Sequence, residues 1–168
     1  MQPAPLPANE PDRLAALRAL LILDTPPEQR FDRIVEFAAQ EFEVPVALIN
    51  LIDEGRQWSK AAVGMVACEM PRGESFCSYV VFSSQALVVE DLTQDPRFAD
   101  APLVQQAPHL RFYAGVPLNS KEGLTLGTLC LLDHRPRQLD ATDLAILGTL
   151  GALCAGELRG ESVESVED

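Results

Sequence analysis

The sequence lacks several features that would assign it to other classes of protein. Its four cysteines include no Cys-X-X-Cys pair and its two histidines lie far apart, so no metal site or other cofactor is predicted. Basic residues are also scarce, with 13 lysines and arginines against 25 acidic residues and a net charge of −12. Such a surface repels nucleic-acid phosphates and anionic lipids, so we expect neither nucleic acid nor a membrane as partner.

Targeting signals and catalytic motifs are missing from the sequence as well. The first ten residues lack the basic start and apolar core of a secretory signal, and no apolar run approaches the roughly 20 residues of a membrane span. We therefore expect a cytoplasmic protein with reduced thiols. There is no G-X-S-X-G, H-E-X-X-H or Walker sequence, so no catalytic residue is predicted.

The length and composition indicate one folded domain. The chain has 168 residues, of which 47% are hydrophobic, and this is enough to form a core. The first eight residues contain three prolines and no pattern. We expect a disordered lead-in at residues 1–8, a domain at residues 9–159, and an acidic tail or linker at residues 160–168.

Three long helices are indicated by apolar residues spaced three and four apart. The first begins near Asn9. The second begins with a capping box in which Thr25 is the cap, Pro26 the first helical residue and Glu28 the reciprocal partner. The third, closing helix is capped by Asp140.

The middle of the chain has the pattern of an antiparallel sheet. Strands are predicted at residues 44–53, 57–64, 86–90, 111–118 and 124–133. A short helix is predicted at residues 76–82, and residues 91–108 form a long connection of the kind that covers a site. The element order predicts an α+β fold with a helix layer on one face of the sheet and loops over the other.

Six segments in this order resemble the GAF domains found ahead of bacterial diguanylate cyclases and sensor histidine kinases. They are LDTPPEQRFDRIVEFAA, VPVALINLIDEGRQWSK, PRGESFC, VVEDLTQDPRF, RFYAGVPL and LGTLCLLD, and the resemblance covers residues 9–159. It implies a central six-stranded antiparallel sheet flanked by N- and C-terminal helices, with loops and short helices over a small-molecule pocket. It also implies a homodimer formed through the terminal helices.

Two pairs of alternating strand residues are candidates for the ligand site. Trp58 and Lys60 would give an aromatic wall beside a cation, or would belong to the core with the lysine reaching solvent. Arg111 and Tyr113 have the same spacing, and Arg111 would hold a carboxylate or phosphate, or else pair with an aspartate of the long connection. The two cations favour an anionic or carbonyl-bearing ligand.

The start of the predicted short helix supplies two further candidates, Phe76 and Cys77. A cysteine at a helix start can have a lowered pKa, whereas the alternative is a small buried residue. Cys130 lies inside a strand and is expected in the core. Gly115 also lies within a strand, which indicates close approach of another group.

A sensory or regulatory domain that binds a small molecule and catalyses nothing is the function that these features favour. One alternative is a structural dimerisation module with a vestigial pocket. The other is a free methionine sulfoxide reductase of GAF fold, for which Cys68 and Cys77 would be the attacking and resolving thiols.

Overall fold

The fold is an antiparallel sheet with helices on both faces, seen in a computed structural model that describes residues 1–66 and 69–161. The helices are α1 (Glu10–Ala19), α2 (Gln29–Phe42), α3 (Cys77–Ser83), α4 (Pro102–Gln105) and α5 (Ala141–Leu158), with 3-10 turns at Arg72–Glu74 and Leu92–Gln94. The strands are β1 (Val46–Ile52), β2 (Arg56–Val63), β3 (Glu69–Pro71), β4 (Leu87–Val89), β5 (Phe112–Asn119) and β6 (Thr125–Asp133).

The six strands in this part of the chain form one sheet in the order β3-β2-β1-β6-β5-β4, and every neighbouring pair is antiparallel. The predicted α+β fold with a six-stranded antiparallel sheet is confirmed. β3 was not among the strands predicted from the sequence. It is a three-residue edge strand, too short for a periodic pattern to reveal.

Two apolar cores lie on opposite faces of the sheet. On the helix face, Val35 of α2 and Leu147 of α5 pack with Ile49 of β1. On the loop face, Leu48 of β1 packs with Val80 of α3 and with the long connection. The central strands β1 and β6 are therefore buried along their whole length, which explains their nearly continuous apolar sequences.

The helix starts agree only in part with the predicted caps. The N-cap Asp140 and the third residue of α5 exchange hydrogen bonds of 2.8 and 3.0 Å, so this cap is confirmed. Asn9 precedes α1 but makes no side-chain cap bond. The predicted capping box at Thr25 is wrong, because α2 begins at Gln29 and the Thr25 hydroxyl instead lies 2.7 Å from Lys60 Nζ.

Residues 1–8 form no helix or strand, yet they contact the body of the fold. The Met1 amino group lies 3.0 Å from the Asp100 carboxylate. The Tyr79 hydroxyl donates to the Gln2 carbonyl oxygen. These contacts do not match a disordered lead-in, and they depend on partners too distant in sequence to be recognised from the segment itself.

The closing helix α5 is more apolar than the sequence pattern indicated. Its 18 residues have a mean hydropathy of 1.3, so by length and composition alone the helix could span a membrane. In the fold, 39% of the helix is buried. Leu147, Leu150 and Cys154 pack in the helix-face core. Leu153 remains 46% exposed, so α5 presents apolar surface beyond what the sheet covers.

A buried charge cluster joins α1 to the 3-10 turn before α3. The Glu10 carboxylate lies 2.7 and 3.1 Å from the Arg13 guanidinium and 2.6 and 3.0 Å from that of Arg72. Burial raises the pKa of Glu10, but hydrogen bonds from the two arginines outweigh it and lower the pKa to about 2. The carboxylate therefore binds two buried cations at once.

Candidate functional site

A small cavity lies on the loop face of the sheet, beneath α3. It leaves about 40 Å³ for the centres of water-sized molecules, roughly three times what one water needs. A molecule of a few heavy atoms therefore fits. The walls are formed by Leu48, Asn50, Gln57, Ser59, Met65, Val66, Met70, Glu74, Phe76, Cys77, Leu103, Tyr113, Cys130 and Leu132.

The Cys77 thiol forms the floor of the cavity and accepts hydrogen bonds from several sides. Its Sγ lies 3.0 Å from Thr128 Oγ1, 3.2 Å from Tyr113 Oη, 3.5 Å from Asn50 Nδ2 and 3.9 Å from Cys130 Sγ. Burial raises the pKa of Cys77, but these hydrogen bonds outweigh it and lower the pKa below its usual range. The pKa of Cys130 is raised because its thiol is hydrogen-bonded with Cys77 and is itself buried.

Two side-chain amides in the cavity wall donate to sulfur atoms. Asn50 Nδ2 lies 3.5 and 3.6 Å from the Sγ atoms of Cys77 and Cys130, and Gln57 Nε2 lies 3.2 Å from Met70 Sδ. Serine hydroxyls donate to both amide oxygens and so fix the orientation of each amide. Sulfur is a weak acceptor, so an oxygen acceptor that entered the cavity would form stronger bonds with both amides.

Three predicted site residues, Phe76, Cys77 and Tyr113, meet at this cavity. The Phe76 and Tyr113 rings are 5.6 Å apart in an edge-to-face arrangement. The Tyr113 ring lies back along its own strand over Gly115, where an added Cβ would overlap the tyrosine hydroxyl. The predicted close approach at Gly115 is confirmed, and it is what lets Tyr113 reach Cys77.

Trp58 and Lys60 lie on the helix face, contrary to the prediction that they share the cavity. Lys60 Nζ is 2.7 Å from Glu28 Oε2 and 2.6 Å from the Pro26 carbonyl oxygen. Trp58 packs against the helix-face core. The lysine therefore holds the segment before α2 on the sheet and is not available to a ligand in the cavity.

A Lys60→Met variant is expected to lose about 1–3 kcal/mol of its free energy of unfolding, because it removes the ion pair of a buried ammonium group and two hydrogen bonds. Urea denaturation measures this loss. The exposed Lys121, in the turn between β5 and β6, provides the matched control, and Lys121→Met should change stability by less than about 0.5 kcal/mol. Equal effects of the two substitutions would show that the buried contacts of Lys60 contribute nothing.

Arg111 also lies outside the cavity wall. Its Nη1 donates to the carbonyl oxygens of Val104 and Leu110 at 3.1 and 3.0 Å. It therefore pins the long connection, as the structural alternative predicted, but through backbone carbonyls and not through Asp91 or Asp95. Neither predicted cation contacts the cavity.

Three polar residues of the site, Asn50, Gln57 and Thr128, were not predicted from the sequence. Asn50 and Thr128 interrupt strands that are otherwise almost wholly apolar. A polar side chain buried in such a strand needs a partner, and this signal could have identified both. Cys68, the other thiol of the predicted reductase pair, lies outside the described residues.

Comparison with known families decides the assignment. The family model described as GAF domain matches residues 26–158, which is most of the chain. The chain belongs to the GAF family. The resemblance predicted from the six segments is thus confirmed, and family membership supports a sensory or regulatory role in bacterial signal transduction.

One similar protein is a cyclic di-GMP phosphodiesterase of Pseudomonas aeruginosa, 41% identical over 148 residues. The matched region covers 88% of this chain but only 25% of that relative. The chain therefore spans about a quarter of the length of this relative.

Solved structures share the fold at low sequence identity. The GAF domain of a phosphoenolpyruvate-protein phosphotransferase from Coxiella burnetii has a TM-score of 0.68 and 17% identity, and the match covers 95% of this chain and 99% of that one. A type II free methionine-R-sulfoxide reductase from Thermoplasma acidophilum has a TM-score of 0.67 and 14% identity over 88% and 98% of the two chains. Likeness at this level shows the fold and not the activity.

Proposed function

We propose that this GAF domain binds a small molecule in the cavity above Cys77 and regulates a separate output unit, without catalysis of its own. The observation that carries the proposal is the pair of cavity amides, Asn50 and Gln57, whose hydrogen bonds to sulfur are easily exchanged for better ones. Since the matched region is one quarter of a phosphodiesterase, the proposed output is a signalling enzyme attached to the domain. The free thiols of Cys77, Cys130 and Cys154 fit a reducing cytoplasm.

The proposed ligand carries a carbonyl group and no negative charge. The sequence favoured an anionic or carbonyl-bearing molecule, but the anionic part depended on Lys60 and Arg111, which bind elsewhere. The carboxylate of Glu74 in the cavity wall repels anions. A carbonyl oxygen suits the two amide donors.

Acetamide and acetate form a matched pair of probes for this proposal, since they have the same size and differ in charge. We expect saturation-transfer NMR to show that acetamide binds and that acetate binds at least about tenfold more weakly. An Asn50→Leu variant, which keeps the side-chain volume but loses the donor, should bind acetamide about tenfold or more weakly while remaining folded. Equal binding of both probes to both proteins would contradict the proposal, and binding of neither would favour the dimerisation module.

The exposed apolar surface between α2 and α5 is the proposed homodimer interface. Phe37 of α2 is 50% exposed, and Leu153 of α5 is 46% exposed. The exposed face of α1 is formed mainly by charged residues and alanine. The proposed interface is therefore the C-terminal helix with α2, and the partner is a second copy of the chain, whose own apolar face would cover this one.

Light scattering after size-exclusion chromatography tests the dimer. At tens of micromolar protein we expect a dimer for the natural sequence and a monomer for Leu153→Glu, because a buried carboxylate without a partner opposes association. Leu6→Glu, at a residue that is 62% exposed in the N-terminal segment, is the control and should stay dimeric. A monomer for the natural sequence would overturn this interface.

A further inference from the structure

Two buried thiols share the floor of the cavity. Cys77 of α3 and Cys130 of β6 are 2% and 1% exposed, and both line the cavity. Their Sγ atoms lie 3.9 Å apart, so an approach of about 2 Å would bring them to the length of a disulfide bond. The third free cysteine of the described residues, Cys154, is buried in the helix-face core.

We propose that Cys77 and Cys130 are a peroxide-reactive pair, which hydrogen peroxide entering the cavity oxidises to an intramolecular disulfide. The cavity would then respond to hydrogen peroxide as well as to the proposed ligand. The reaction uses the cavity of the proposed function but needs no bound ligand, so the two proposals can fail separately.

The Cys77 thiolate attacks one oxygen of hydrogen peroxide. An S–O bond forms, the O–O bond breaks, and the hydroxide that leaves takes up the proton released by Cys77, which gives a sulfenic acid and one water. The Cys130 thiol then attacks Cys77 Sγ, so that an S–S bond forms and the sulfenic oxygen leaves as a second water with the Cys130 proton. The two thiols lose two electrons and two protons, and the peroxide is reduced to two waters.

The surroundings of the two sulfurs assign the order of attack. Cys77 Sγ accepts hydrogen bonds from Thr128, Tyr113 and Asn50, and all three stabilise negative charge on this sulfur. Cys130 Sγ accepts a side-chain hydrogen bond from Asn50 and lies 3.9 Å from Cys77 Sγ. It is therefore placed to attack as soon as the Cys77 sulfur has been oxidised.

The size and charge of the cavity restrict the oxidant. The cavity, with about 40 Å³ for the centres of water-sized molecules, admits a peroxide of two heavy atoms but not an aromatic hydroperoxide. Glu74 in the wall disfavours anionic oxidants. Hydrogen peroxide, which is small and neutral, meets both conditions.

The test uses the Cys68→Ser chain, so that the thiols are Cys77, Cys130 and Cys154. After hydrogen peroxide treatment we expect the thiol count in denaturant to fall from three to one, with a Cys77–Cys130 linkage in peptides mapped without reductant. Cumene hydroperoxide should react at least about tenfold more slowly than hydrogen peroxide, because it does not fit the cavity. No thiol loss, or oxidation of Cys154 as fast as of the pair, would overturn the proposal.

Single substitutions assign the two roles. Cys130→Ser should stop the reaction at a Cys77 sulfenic acid, which dimedone labels once the protein is unfolded in denaturant, whereas Cys77→Ser should abolish labelling and disulfide together. Thr128→Val, which removes one hydrogen bond to Cys77, should slow oxidation by about threefold to tenfold, since the smaller thiolate fraction is partly offset by a more nucleophilic sulfur. Circular dichroism confirms that each variant is folded. Unchanged oxidation of Thr128→Val and Cys77→Ser would remove Cys77 as the attacking thiol, whatever the acetamide titration shows.

Discussion

The Glu10→Gln variant is expected to lose about 3–5 kcal/mol of its free energy of unfolding, because it leaves two buried guanidinium groups without a counter-charge. Arg13 is 1% exposed and Arg72 is 9% exposed, so neither can regain full hydration in the folded state. Urea denaturation at neutral pH measures the loss. Asp12, an exposed carboxylate on the same helix, gives the control, and Asp12→Asn should shift stability by less than about 0.5 kcal/mol.

The same cluster predicts how stability depends on pH. The folded pKa of Glu10 is lowered from 4.5 to about 2, so its contribution is complete above pH 4.5 and disappears as the pH falls through 2. Since a pKa shift of one unit corresponds to about 1.4 kcal/mol, the contribution is roughly 3 kcal/mol. The stability difference between the natural sequence and Glu10→Gln should therefore shrink between pH 4.5 and 2. A difference that stayed constant over this range would contradict the role of the Glu10 charge.

The Gly127→Ala variant is expected to lose about 3 kcal/mol or more, because the new methyl group meets backbone and not a movable side chain. A Cβ at Gly127 would overlap the Asn50 carbonyl oxygen and lie 2.9 Å from Leu51 Cα. The strands β1 and β6 would have to separate at the centre of the sheet. The change would also displace Asn50, so acetamide binding should weaken in any molecules that remain folded.

Gly148→Ala provides the opposite result as a control. Gly148 lies in α5, where an added Cβ has no neighbour within 4 Å. Alanine should therefore stabilise the protein by about 0.5–1 kcal/mol through its better helix propensity. Thermal denaturation of both variants measures the contrast. If Gly127→Ala proved as stable as the natural sequence, the close contact between β1 and β6 would be disproved.

The sheet could be predicted from sequence because its central strands carry their own signal. The apolar runs of β1 and β6 and the turn residues beside them indicate covered strands in hairpins, and the pairing of β1 with β2 and of β5 with β6 follows. The pairing of β1 with β6 joins segments about 80 residues apart. No local pattern predicts this pairing, and the family resemblance implied only a six-stranded antiparallel sheet without its strand order.

The site could be predicted only in part, because the face to which a strand residue points depends on the register. Between β1 and β2, Asn50 pairs with Ser59 while Ile49 pairs with Ala61, so Lys60 is the extra residue of an irregular register. β2 is half-buried on both faces, and its composition does not distinguish the cavity side from the helix side. Phe76 and Cys77 were placed better because they lie at the start of the short helix α3, which covers the cavity, and Tyr113 of β5 lines the same cavity.

A methyl-labelled methionine spectrum recorded during acetamide titration tests the central claim, that the ligand site is the cavity on the loop face. Met65 and Met70 lie in the cavity wall, and Trp58, the single tryptophan of the chain, reports on the helix face. We expect the Met65 and Met70 methyl signals to shift with one common saturation curve while the Trp58 indole signal stays in place. Movement of the Trp58 signal with both methionine signals unchanged would place the site on the opposite face of the sheet and contradict the account.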